Sequence, residues 1–200
     1  MKLLSGENIA NEIKYWFSKS IYEREISEFK DFEIYEKSIQ IFKNDYLRYY
    51  PSDVEMSIIK IKQRLELVGI LLYRISREYF LKGNSKCDYY SLLGRFLSGF
   101  EIYYSAEIGN GLRINHGIGT VIGARVKIGD NCLIHQNITL GDKNSGRPTI
   151  GNNITIYSGA KILGDIHIGD GSIIGANSVC LKNAPAGSVL VGIPSKLIKK

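Results

Sequence analysis

The second half of the chain repeats with a period of six residues. Isoleucine or leucine recurs at this spacing, often followed by glycine, at twelve positions: Ile102, Ile108, Ile114, Ile122, Ile128, Ile134, Leu140, Ile150, Ile156, Ile162, Ile168 and Ile174. Helices and strands repeat at about 3.6 and 2 residues, so neither produces this pattern. A parallel β-helix does, because each hexapeptide forms one short face and three faces complete a coil. We therefore predict a β-helix whose aliphatic residues point inward.

Four residues after each aliphatic position stands a second apolar or small residue, which we also expect to face inward: Ala106, Leu112, Ile118, Val126, Cys132, Ile138, Ile154, Ala160, Ile166, Ser172 and Ser178. The period breaks twice, with steps of eight residues from Ile114 to Ile122 and of ten from Leu140 to Ile150. We predict two extra residues near 119–121 and a protruding loop over 141–149. Such interruptions of a regular scaffold often carry function.

The first hundred residues have a different composition. Ten of the thirteen tyrosines and all seven phenylalanines lie at or before Phe100, whereas seventeen of the twenty-one glycines lie from Gly99 onward. Apolar residues at three- and four-residue steps predict helices over 6–29, 31–47 and 51–83, and a short helix near 91–99. Gly69 either interrupts the third helix or marks close packing. We therefore expect an α-helical domain at 1–98, and a β-helix with a short C-terminal segment at 99–200.

Charge and cysteine content narrow the function classes. The net charge is +6, but no run of lysine and arginine resembles a nucleic-acid-binding arm. The longest apolar run, residues 67–73, is too short to span a bilayer, and the first residues lack a signal peptide. Three cysteines show neither metal-site spacing nor a disulfide framework. We expect a cytoplasmic protein with no metal, no nucleic-acid partner and no transmembrane segment.

Several motifs resemble a known group of enzymes. The stretches LYRIS, EIYYSAEIGNGLRINHGIG, IHQNITLGD, SGAKILGDIHIGDGSIIGANSV and VLVGIPSKLI are similar to those of hexapeptide-repeat acyltransferases. Among these, the chain resembles serine acetyltransferases and their relatives in capsule and O-antigen clusters, over residues 65–198. The resemblance implies that the β-helix is left-handed, that acetyl-CoA is the acetyl donor, and that the protein is a homotrimer with active sites between subunits. It leaves open whether two trimers pair through the helical domain.

The resemblance places the catalytic base of the family at His116 and its carboxylate partner at Glu101. A hydroxyl attacks a thioester efficiently only when a base removes its proton, and imidazole suits this task near neutral pH. The carboxylate orients the ring and stabilises the imidazolium. For His116 taken alone, a buried and hydrogen-bonded ring is the competing interpretation.

The acceptor side departs from the serine acetyltransferases, which usually carry Asp where this chain has Asn115. Their longer loop has Arg-His before Pro, whereas this one reads Gly-Arg147-Pro. A helical-domain Asp aligns roughly with Tyr50, although Asp53 is close by. With fewer carboxylates for an ammonium group, we predict a sugar hydroxyl of a surface polysaccharide as acceptor. Serine is the alternative.

The remaining candidate residues follow from the repeat and from the resemblance. The repeat places His135 one coil after Asn115, so we expect His135 to line the acceptor pocket with Asn115 and Arg147; an exposed structural residue is the alternative. The resemblance implies that acetyl-CoA is bound by these residues, the first five through their backbone: Gly141, Asp142, Ser158, Gly159, Ala176 and Lys196. Lys196 is otherwise part of a solvated basic end. Two other functions stay open, a non-catalytic scaffold and an N-acetyltransferase of amino sugars.

Overall fold

A computed structural model describes residues 4–18 and 31–199. Within these ranges the first part of the chain forms five helices: α1 (Gly6–Ser18), α2 (Phe32–Leu47), α3 (Ile58–Lys62), α4 (Leu65–Leu81) and α5 (Lys86–Ser98). The helix predicted over 31–47 is confirmed as α2. The helix predicted over 6–29 is confirmed as far as Ser18, and its remainder lies outside the described residues. The short helix near 91–99 belongs to the longer α5.

The prediction of one helix over 51–83 is wrong. The backbone breaks at Arg64, which adopts an extended conformation between α3 and α4. Gly69 lies inside α4 and marks close packing, because a Cβ there would collide with the side chains of Ser98 and Phe100. No helix in the described ranges is long and apolar enough to cross a membrane.

The second part of the chain is a parallel β-helix. Its strands are β1 (Glu101–Ile102), β2 (Glu107–Ile108), β3 (Arg113–Ile114), β4 (Val121–Ile122), β5 (Lys127–Ile128), β6 (Leu133–Ile134), β7 (Thr139–Gly141), β8 (Thr149–Ile150), β9 (Thr155–Ile156), β10 (Lys161–Leu163), β11 (His167–Ile168), β12 (Ile173–Ile174), β13 (Val179–Cys180), β14 (Val189–Val191) and β15 (Lys196–Lys199). They form three sheets, in the orders β1-β4-β7-β10-β13, β2-β5-β8-β11 and β3-β6-β9-β12-β14-β15. Neighbouring strands are parallel except β14 and β15, which are antiparallel.

The interior of the coil confirms the predicted period. Each of the twelve aliphatic positions is buried, with at most 8% of its surface exposed. Ile118 is the exception among the second set of predicted inward residues, since 70% of its surface is exposed. Thr120 is fully buried instead. Its hydroxyl donates to the carbonyl of His135 at 2.9 Å, which satisfies the polar group inside the coil.

A buried ion pair joins the helices to the first coil. The guanidinium of Arg74 in α4 donates to both carboxylate oxygens of Asp45 in α2, at 2.9 and 3.0 Å. It also donates to the carbonyls of Ile108 and Gly109, at 2.7 and 2.6 Å. Both side chains are almost completely buried. Because the pair reaches into the β-helix backbone, it fixes the helical part against the coil.

Candidate active site

The first interruption of the repeat is visible in the strand register. Arg113 in β3 pairs with Leu133 in β6, twenty residues later. Val121 in β4 pairs with Thr139 in β7, eighteen residues later. Three hexapeptides make eighteen residues, so the corner between β3 and β4 contains two more residues than the equivalent corner of the next coil, between β6 and β7.

Hydrogen bonds between coils identify the two inserted residues. The N–H of Asn115 donates to the carbonyl of Ile134 at 2.8 Å, which places Asn115 beside His135. The N–H of Asn137 donates to the carbonyl of Ile118 at 3.0 Å, which places Ile118 beside Gln136. His135 and Gln136 are consecutive, whereas Asn115 and Ile118 are separated by two residues. The insertion is therefore the dipeptide His116–Gly117.

The prediction that the extra residues lie near 119–121 is wrong for this reason. The position of the insertion also explains why Ile118 is exposed, because the two added residues shift the inward-facing position from Ile118 to Thr120. His116 has a positive φ of 59°, and its carbonyl accepts a hydrogen bond from the N–H of Ile118. Its side chain is exposed, which excludes the buried-ring interpretation. The inserted dipeptide is thus a bulge that carries the imidazole out of the coil.

Residue 117 is glycine because the ring of Phe100 occupies the space that a side chain would need. A Cβ at Gly117 would lie 2.5 Å from Cδ1 of Phe100 and 2.9 Å from Cγ2 of Ile114. Phe100 is itself 3% exposed and also packs against Gly69. The bulge is therefore held against a ring that contacts the helical part.

Glu101 begins β1, which pairs with β4 just after the bulge. Its Oε2 lies 3.4 Å from Nη1 of Arg95 in α5. No hydrogen bond joins Glu101 to His116 within the described residues. The structure thus places the Glu101 carboxylate at the same end of the β-helix as His116, where Arg95 is its charged partner.

A column of side chains runs along the corner that follows β3, β6 and β9. Asn115, His135 and Tyr157 occupy equivalent positions on successive coils, in agreement with the expected stacking of the first two. The rings of His135 and Tyr157 stack with centroids 5.2 Å apart. Burial lowers the pKa of His135, and the nearby His116 and Arg113 lower it further.

Asn115 is oriented by a neighbour on the same strand. The Nε of Arg113 donates to Oδ1 of Asn115 at 3.3 Å, and its Nη1 donates to the carbonyl of Arg48 at 2.9 Å. The amide oxygen of Asn115 is thus engaged by Arg113.

The residues expected to bind acetyl-CoA divide between two corners and the end of the coil. Ser158, Gly159 and Ala176 lie on the corner that carries His116. Gly141 ends β7, and Asp142 begins the corner after it. Lys196 is exposed on β15, at the end of the sheet that begins with β3. No group of three or more histidine, cysteine or acidic side chains that could hold a metal ion is found in the described ranges.

Arg147 lies away from His116 in the same chain. It belongs to the predicted protruding loop, between β7 and β8. Its guanidinium forms an ion pair with Asp142 and donates from Nε to the carbonyl of Ala124 at 3.0 Å. The structure therefore does not join Arg147 with Asn115 and His135 within one subunit.

Sequence reasoning missed two polar side chains at this corner. Tyr157 could have been found, since the repeat that aligns Asn115 with His135 also aligns His135 with Tyr157. Gln136 carries no such signal. Its Oε1 is buried and has no hydrogen-bond partner among the residues that the structure describes.

Comparisons with known proteins agree with this architecture. Residues 147–182 match the family model "Bacterial transferase hexapeptide (six repeats)". The chain is 46% identical over 114 residues to a serine acetyltransferase of Helicobacter pylori, covering 55% of this chain and 67% of the relative. It is 47% identical over 112 residues to one of Synechococcus elongatus, covering 54% of this chain and 46% of the relative.

Solved structures give the same result over more of the chain. A serine acetyltransferase of Neisseria gonorrhoeae in complex with serine has a TM-score of 0.77 at 25% identity, covering 96% of this chain and 84% of that one. A serine acetyltransferase in complex with CoA has a TM-score of 0.74 at 27% identity, covering 83% and 73%.

The fold and the bulge define a hexapeptide-repeat acyltransferase with a left-handed parallel β-helix. Within that class, the chain belongs to the serine acetyltransferase family. It spans about half the length of the Synechococcus relative. The expectation of a polysaccharide sugar as acceptor is wrong, because the similar curated proteins and solved structures are serine acetyltransferases.

Proposed function

We propose that the protein transfers the acetyl group of acetyl-CoA to the side-chain hydroxyl of L-serine. The likeness to serine acetyltransferases, at 46% identity over 114 residues, carries this proposal. The exposed imidazole on the bulge supports it, because a base that projects from a rigid coil can reach a substrate hydroxyl.

His116 acts as the general base. The serine oxygen attacks the thioester carbonyl carbon while its proton moves to the imidazole, and a C–O bond forms. The tetrahedral intermediate then breaks its C–S bond, and the CoA thiolate takes the proton back from the imidazolium. A positioned base contributes about 10²–10⁴-fold to such a reaction. The products are O-acetylserine and CoA.

Glu101 supports the imidazolium from the same end of the coil. Arg95 contacts Oε2 of Glu101, so Oε1 remains for the imidazole. A carboxylate in this role fixes the ring orientation and stabilises the charge that appears during attack.

The corner that carries His116 suits the pantetheine arm of acetyl-CoA. Ser158 and Gly159 lie on one coil and Ala176 on the next, and the absence of a large side chain at all three leaves their backbone open to a ligand. Lys196 is exposed and carries a charge opposite to that of the nucleotide phosphates. Gly141 and Asp142 would contact a molecule that reaches the next corner.

The protein acts as a homotrimer, with each site formed between subunits. Arg147 lies at a different corner from His116, so only a second copy brings an Arg147 to the acceptor. Exposed apolar side chains on the coil support such contacts, including Ile118 and Ile173, which are 70% and 38% exposed. Light scattering coupled to gel filtration measures this mass directly.

The activity is tested by thiol release from acetyl-CoA in the presence of L-serine. We expect release that depends on both substrates, with O-acetylserine identified by mass spectrometry. Ethanolamine and 3-hydroxypropanoate, which lack the carboxylate and the ammonium respectively, are the matched acceptors. Binding of acetyl-CoA without serine-dependent release would refute the proposed acceptor.

A further inference from the structure

Strand β3 has an open edge. It is the last strand of the six-stranded sheet, and its other side pairs with β6. The N–H groups of Arg113 and Asn115 donate to the carbonyls of Cys132 and Ile134, at 3.0 and 2.8 Å. Backbone groups alternate in direction along a strand, so the N–H and C=O groups of Leu112 and Ile114 point to the edge that no strand pairs with.

The last turn of α2 and the two residues after it cover this edge with side chains. Asp45 accepts the N–H of Leu112 at 2.7 Å, and Arg48 donates to the carbonyl of Gly111 at 3.1 Å. The Tyr49 hydroxyl accepts the N–H of Ile114 at 2.8 Å and donates to the carbonyl of the same residue at 2.7 Å. Side chains from the helical part thus make the hydrogen bonds that the backbone of a neighbouring strand would make.

Tyr49 is fixed in this position by its surroundings. Burial raises the pKa of Tyr49, so the hydroxyl keeps the proton that it donates to Ile114. The guanidinium of Arg113 lies 5.3 Å from the centre of the Tyr49 ring, in a cation–π arrangement. One rigid hydroxyl therefore satisfies two backbone groups that would otherwise lack a partner.

We propose that Tyr49 is a positioning residue for His116, because it holds the strand end from which the inserted dipeptide begins. The His116 side chain makes no hydrogen bond within the described residues, so its place depends on the backbone on both sides. Phe100 holds the bulge after His116, through Gly117. Tyr49 holds the chain before it, through Ile114. This inference rests on the proposed function of His116 as base.

The variant Tyr49→Phe tests the proposal, with Tyr73→Phe as the matched control. Tyr73 is buried, whereas Tyr49 is partly buried. The Tyr73 hydroxyl likewise joins the helical part to the first coil, donating to the carbonyl of Ala106 at 2.8 Å on another corner. A displacement of about 1 Å near the chemistry costs on the order of 10²-fold. We expect kcat with L-serine to fall about 10- to 100-fold in Tyr49→Phe, with KM for acetyl-CoA within about twofold. Tyr73→Phe should keep its kcat within about twofold, because it leaves the His116 strand in place.

Nuclear magnetic resonance provides a second readout that does not need turnover. Tyr49→Phe should shift the imidazole signals of His116 and speed hydrogen exchange of the Ile114 amide. The signals of His167, exposed on β11, should stay unchanged and report an intact coil. An unchanged kcat and unchanged His116 signals in Tyr49→Phe would overturn the proposal, as would equal losses of kcat in Tyr73→Phe. If the wild type does not acetylate serine, the proposed function fails, and the imidazole signals still decide the role of Tyr49.

Discussion

The replacement Gly117→Ala tests how the bulge is held. The added Cβ would lie 2.5 Å from the Phe100 ring, whereas van der Waals contact begins at 3.4 Å, so ring or bulge must move by roughly 1 Å. Forcing a methyl group into a packed site costs about 1–3 kcal/mol. Because His116 precedes this residue, we expect kcat to fall by up to ~10²-fold. Urea unfolding and steady-state kinetics measure the two effects.

A second substitution separates the collision from other effects of alanine. Phe100→Leu removes the ring atoms that the new Cβ meets, so the double variant should recover part of the lost stability and activity. We expect a coupling free energy of about 0.5–3 kcal/mol between the two substitutions. Wild-type stability and kcat in Gly117→Ala, or penalties that simply add in the double variant, would refute this reasoning.

Three further substitutions probe the acceptor side, the histidine pair and the junction with the helices. Asn115→Asp should lower KM for L-serine about tenfold, because the carboxylate adds a second acceptor oxygen beside the one that Arg113 engages, and a hydrogen bond to a charged group contributes ~1.5–3 kcal/mol; an unchanged KM would show that this position does not face the ammonium. His116→Ala should raise the pKa of His135 in an NMR titration, because one cause of its lowering is removed. The folded state holds this proton less tightly than the unfolded chain, so the stability contributed by His135 is present above about pH 6.5 and is lost as the pH falls. Arg74→Met should reduce the free energy of unfolding by ~3–5 kcal/mol, because it leaves the Asp45 carboxylate buried without its partner; a loss below ~1 kcal/mol would contradict the role of the ion pair.

The six-residue period was sufficient to predict the β-helix and its inward aliphatic residues. Period alone does not locate an insertion, because any two residues between Ile114 and Ile122 restore the count. The register that places the insertion at His116–Gly117 depends on hydrogen bonds between coils. The same bonds show why Ile118 is exposed although its spacing predicts burial.

Contacts between the helices and the coil could not be predicted from the repeat. Tyr49 is far from His116 in sequence, and Phe100 lies outside the hexapeptide pattern. Only the packing of the helical part on the first coil brings Tyr49 to Ile114 and Phe100 to Gly117. The break at Arg64 was missed because the apolar pattern continues across it. The acceptor cannot be predicted from Asn115 alone, because one residue of a site does not determine its substrate.

The role of His116 as general base is the central claim, and kcat of His116→Asn with L-serine and acetyl-CoA tests it most directly. His167→Asn is the matched control, since His167 is an exposed histidine of the same β-helix, on the β2-β5-β8-β11 sheet and away from the corner that carries His116. We predict that His116→Asn lowers kcat about 10²–10⁴-fold while His167→Asn leaves it unchanged. Serine acetylation by His116→Asn at the wild-type rate would contradict the account.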